Sequence, residues 1–213
     1  MKRIWTMLLV VGSLRGADVS LWTSSEAVVE NMVMARARDQ AARMFGAVGV
    51  NVEWTRAVPT GCRTNTIEVR FSLVSASWMR GAFAYTTPFA AQPVVTVFYD
   101  RVKSASQPEL RTRLLAHVLV HEIAHVLMKA DHHAREGVMK PHWTASDYIQ
   151  MAQGPLPFMS MEKRLIRDGL KAFVEATSSC HAMLSKALDG GDSQDRAHAQ
   201  NRESPLPAER EPE

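Results

Sequence analysis

From His117 to Trp143 the chain reads HVLVHEIAHVLMKADHHAREGVMKPHW, and inside it stands His121-Glu122-Ile123-Ala124-His125. Residues four apart share one face of an α-helix, so both imidazoles can reach one ion while Glu122 projects nearby without ligating. The flanking Leu119, Val120, Ile123, Val126 and Leu127 suit a helix buried in a core. Ser106-Gln107-Pro108-Glu109 fits a capping box with proline in the first turn, and it opens a helix running to about Met128. A catalytic zinc site needs about three protein ligands and an open position for water, whose proton an adjacent carboxylate can take. His121 and His125 are therefore the expected Zn²⁺ ligands, and Glu122 the expected general base of a hydrolase. For the third ligand His133, His132 and Asp131 all lie close behind the helix; imidazole is the commoner zinc ligand. His117, one turn before His121, is expected in the core or behind the ligands, because a third histidine on that line sits too far along the axis. His142 and Trp143 either border a substrate pocket or, for His142, lie on the surface.

Outward from this segment, Thr23-Ser24-Ser25-Glu26 also fits a capping box. Val28, Val29, Met32, Val33, Ala37, Ala41 and Met44 follow at helical intervals, which predicts a long amphipathic helix to about Ala47. Short β-type runs come next at Val50–Trp54, Thr66–Val74, Ala82–Thr86 and Val94–Tyr99. Beyond the histidines, Thr144-Ala145-Ser146-Asp147 offers a helix start, and another helical stretch runs from about Ser160 toward Ala187. Strands grouped before the second helix predict an α+β domain over residues 18–187 rather than a doubly wound sheet.

Residues 1–17 carry a basic start, an apolar run from Ile4 to Val11 and small residues at Gly16 and Ala17, the pattern of a secretory signal peptide. A secreted or periplasmic protein is expected. Lys2, Arg3 and Arg15 account for the whole formal charge of +3, so the rest of the chain is formally neutral in sum, and so small a total gives no argument for nucleic acid. No apolar run is long enough to span a bilayer in the mature chain. From residue 188 to 213 the chain has few large apolar groups and much Pro, Ser and charge, which predicts a disordered tail. Cys62 and Cys180 are the only cysteines; export permits a bridge between them, and two buried thiols fit the sequence equally well. A monomer is expected.

Three further features resemble the metzincin clan of zinc endopeptidases, and its matrixin-like exported members especially. Gly137-Val138-Met139 matches the clan's methionine turn, and the stretch HAREGVM is similar to the HxxxGIM of members with a longer spacing to the third histidine. Gly81-Ala82-Phe83-Ala84-Tyr85 looks like the edge strand that pairs with extended substrates. Two positions depart from the standard HExxHxxGxxH: Met128 stands at the glycine and Asp131 at the third histidine. The resemblance covers roughly residues 24–153 and favours His133 as third ligand. It implies a metzincin-like zincin domain with a small mixed, twisted sheet, a long N-terminal helix, a helix carrying HExxH, a Met-turn and C-terminal helices. It also implies cleavage of a peptide or protein bound in extended form along Ala82–Thr86, through a zinc-bound water activated by Glu122. Two other readings stand beside it. One is a gluzincin-type peptidase with Glu162 as third ligand; the other is a non-catalytic zinc-binding or interaction domain, against which the intact Glu122 counts.

Overall fold

The computed structural model describes residues 18–24, 28–56 and 65–200. The expected signal peptide, Cys62 and residues 201–213 of the expected tail lie outside them. Five strands form one sheet: β1 (Val19–Thr23), β2 (Val52–Thr55), β3 (Thr66–Ser72), β4 (Ala84–Thr86) and β5 (Val94–Phe98). The helices are α1 (Asn31–Gly46), α2 (Tyr99–Ala105), α3 (Pro108–Met128), α4 (Ala145–Gln153) and α5 (Ser160–Gln200). The order across the sheet is β2-β1-β3-β5-β4. All neighbours run parallel except β4, which lies antiparallel on β5 with Ala84 opposite Val97 and Thr86 opposite Val95. The α+β class expected from the sequence, with a mixed sheet, a long N-terminal helix and a helix bearing HExxH, is the one observed.

Two of the expected helix starts differ. Thr23 does not cap a helix; it is the last residue of β1, where Val19, Leu21 and Thr23 alternate inward with half-buried Ser20 and Trp22. Its hydroxyl accepts a hydrogen bond from Arg38 Nη2 at 2.7 Å. The helix begins instead at Asn31, after Glu30, whose carboxylate accepts from the Tyr99 hydroxyl and pairs with Lys103 and Arg111. A Thr-x-x-Glu string suits either element, and the two-residue alternation of VSLWT outweighs it here. Ser106 likewise closes a helix rather than opening one. Its hydroxyl donates to the Val102 carbonyl at 2.6 Å, ending α2, and α3 starts from Gln107 with Pro108 in its first turn. The box at Thr144 and Asp147 is present as expected, and Asp147 also pairs with Lys140, tying α4 to the preceding loop.

The middle of the molecule is α3. Every residue from Leu114 to Met128 is buried, and the helix packs against α1, α2, α4, α5, β4 and β5. Such all-round burial explains why its sequence is apolar on every face and not on one stripe. No helix among the described residues is long and apolar enough to cross a membrane. Against its C-terminal turn α5 makes backbone contact: a Cβ on Gly169 would lie 1.7 Å from the Leu127 carbonyl oxygen. Glycine is required there by space alone. α5 reaches Gln200, past Ala187 where composition predicts the end of the domain, and Cys180 on it is disulfide-bonded.

Candidate metal centre

His121, Glu122 and His125 project from one buried turn of α3, and the chain then reverses through Lys129, which adopts left-handed backbone at φ 48°. The turn thus falls one residue after Met128, which keeps helical geometry. His121 Nδ1 donates to the Val138 carbonyl at 2.9 Å, and His125 Nδ1 donates to the Ala130 carbonyl at 3.0 Å. Because a carbonyl can only accept, each bond places the proton on Nδ1 and leaves a lone pair on Nε2. The two Nε2 atoms face one another at 3.1 Å. Two nitrogens bound at about 2.0–2.1 Å to one tetrahedral ion stand roughly 3.3–3.4 Å apart, so the pair is close to ligating separation. His133 closes the group, its ring centroid 5.3 Å from His121 and 4.9 Å from His125. One nitrogen from each of the three lies within 4.8 Å of the others. The donor set fits a divalent ion that takes imidazole nitrogen.

Burial sets the charge state. It lowers the His121 pKa to about 4, and it depresses those of His125 and His133 as well, which keeps all three rings neutral and available as donors at ordinary pH. Burial acts oppositely on Glu122, raising its carboxyl to about 8 with a smaller contribution from the charge of Asp131. A cation among the three rings would draw that carboxyl back toward its ionised form.

The loop after the site is held by groups that sequence patterns do not reveal. Gly137 has φ 77°, and a Cβ there would fall 2.2 Å from the Pro157 carbonyl oxygen. Val138 N–H donates to that same oxygen at 3.0 Å, while the Val138 carbonyl receives His121. Met139, the methionine of the expected turn, is 1 % exposed. Gly137→Ala is expected to cost about 2 kcal/mol or more in chemical denaturation of the metal-free protein, from backbone strain and overlap together. Metal affinity should fall with it, since Val138 would shift.

A cleft of about 640 Å³ opens over the three histidines and Glu122. β4, an edge of the sheet, forms one wall through Ala84–Thr86, and the loop before it adds Gly81, Ala82 and Phe83. Arg101 holds that loop by donating to the carbonyls of Ala76, Met79 and Ala82. Trp143 stands edge-on to His121 at 5.8 Å and stacks on Phe83 at 6.4 Å, joining α3 to the strand wall. His142 and Tyr148 line the cleft as well.

The remaining candidates separate. His132 turns away from the cluster, its Nε2 2.9 Å from Glu162 Oε1. Glu162 is thus engaged with His132 and is not among the three side chains brought together. Asp131 lines the cleft without joining them. His117 is fully buried: its Nδ1 donates to the Arg113 carbonyl and its Nε2 accepts from Leu156 N–H, so both ring nitrogens are used in packing α3 against the segment before α5. The Val138 and Ala130 carbonyls that orient the rings escape sequence reading altogether, because a carbonyl has no letter of its own.

Comparison with known proteins finds no family model and no curated protein that matches the chain. Among solved structures, the crystal structure of archaemetzincin (amzA) from Methanopyrus kandleri is similar at 15% sequence identity and a TM-score of 0.47, covering 75% of this chain and 99% of that one.

Proposed function

We propose that this chain is an exported zinc-dependent endopeptidase of the matrixin-like kind. One observation carries the proposal: three imidazoles converge in a cleft that Glu122 and an edge strand also line. His121, His125 and His133 would hold the ion, which when bound supplies Lewis acidity for the scissile carbonyl and for an attacking water. Glu122 takes the proton of that water and passes it to the leaving amine. β4 has its outer backbone groups unpaired within the sheet, so an extended peptide can add to it as a further strand. Engagement of Glu162 by His132 speaks against the gluzincin-type reading, and the position of Glu122 in the cleft favours catalysis over a purely zinc-binding role.

Purified protein should carry about one zinc per chain by elemental analysis. Chelation should stop cleavage of an unfolded protein substrate, and zinc should restore it. Protein that is active without metal ends the proposal. Export rests on residues 1–17, and mass spectrometry of the secreted or periplasmic form should find a chain beginning at Asp18; an intact N-terminus would refute cleavage there.

A further inference from the structure

Three residues in a row, Asp131, His132 and His133, could each serve the pair on α3. The structure separates the two histidines. Residues 130–134 are tied down at every second position. The Ala130 carbonyl accepts from His125 Nδ1, the His132 ring meets Glu162, and Ala134 N–H donates to the Met139 carbonyl at 2.9 Å. Between these anchors Asp131 and His133 are exposed and line the cleft, while His132 and Ala134 are half-buried. Burial alternates along 131–134, so with His132 held inward both of its neighbours face outward, and of the two only His133 joins His121 and His125.

The anchor itself lacks an ordinary packing explanation. Glu162 is 2 % exposed, and its Oε2 has no hydrogen-bond partner among the described groups. A half-satisfied buried carboxylate is costly, and stability alone would favour an apolar side chain in its place. Its position in the first turn of α5 offsets part of that cost through the helix dipole. Gly169, two turns on, presses α5 onto α3 and sets the helix at the depth from which Glu162 meets His132.

We infer that Glu162 is a positioning residue which, by gripping His132, selects His133 as the third metal-binding side chain and thereby allows the longer spacing after HExxH. This rests on the zinc reading proposed above. The metal need not be turned over in catalysis for the test. Zinc titration of the metal-stripped full chain should show Glu162→Ala weakening affinity tenfold or more, the range expected when a group orienting a ligand is lost. Glu162→Gln keeps an acceptor for His132 Nε2–H and should stay within about threefold of the parent. His132→Ala, at a side chain 24 % exposed, should fold and reproduce the loss. Combined with Glu162→Ala it should add nothing further, as two halves of one contact do. Unchanged affinity in both single variants would overturn the inference, and so would a further loss in the double variant, which would make His132 a ligand in its own right. If Glu162 serves stability alone, Glu162→Ala lowers the melting temperature of the apoprotein and leaves zinc affinity as it was. Failure of the parent chain to bind zinc would instead remove the reading on which all this rests.

Discussion

Glu122→Ala should abolish peptide cleavage and leave the metal in place. The carboxylate sits on the same helical turn as His121 and lines the cleft, yet it is not one of the three groups that converge on the candidate ion position. In the proposed mechanism its loss removes the proton acceptor for the attacking water and the donor for the departing amine. General acid–base catalysis contributes about 10²–10⁴-fold, and one group serving in both proton transfers places the expected loss at the upper end of that range or beyond. Glu122→Gln is the sharper variant, because it preserves shape and removes only the basic oxygen. Cleavage rate and zinc content measured on the same sample check the expectation together. Full activity in either variant would take Glu122 out of the mechanism.

The second large effect is expected at His133. Its side chain is exposed at the cleft and makes no packing contact comparable to those of His117, so His133→Ala should leave the fold unchanged. Affinity for zinc should nevertheless fall by more than the roughly 10–100-fold that loss of an orienting group brings, since a donor atom itself is removed. Among the three neighbours the ranking of loss should be His133, then His132, then Asp131. Asp131 contributes only a nearby negative charge. A competition titration against a chromogenic chelator reads the ranking directly, and a larger loss from Asp131→Ala or His132→Ala would reassign the ligand. Circular dichroism of the metal-free variants separates a lost ligand from a lost fold.

Much of the site is local, which is why it is legible in one dimension. His121 and His125 are brought together by helix periodicity alone, and Gly137 marks a turn because its φ of 77° is unfavourable to other residues. The strands at 52–55, 66–72, 84–86 and 94–98 follow from alternation and composition. The misread elements are those for which one string of letters suits two outcomes. Thr23 completes the buried alternation of β1, whose neighbours β2 and β3 lie tens of residues away, and Ser106 turns back to α2.

By itself, then, the sequence determined the class of the domain, the helix that bears the paired histidines, and the carboxylate beside them, because each depends on contacts within a few residues. Only the tertiary structure decided which of Asp131, His132 and His133 joins the paired histidines. There His132 meets Glu162, thirty positions away on another helix, and the neighbouring groups are held by backbone carbonyls of Ala130, Val138 and Met139 that any residue would present. Side chains one residue apart differ in nothing local except the side of the chain from which they emerge, and that side is set by whatever the fold packs against it.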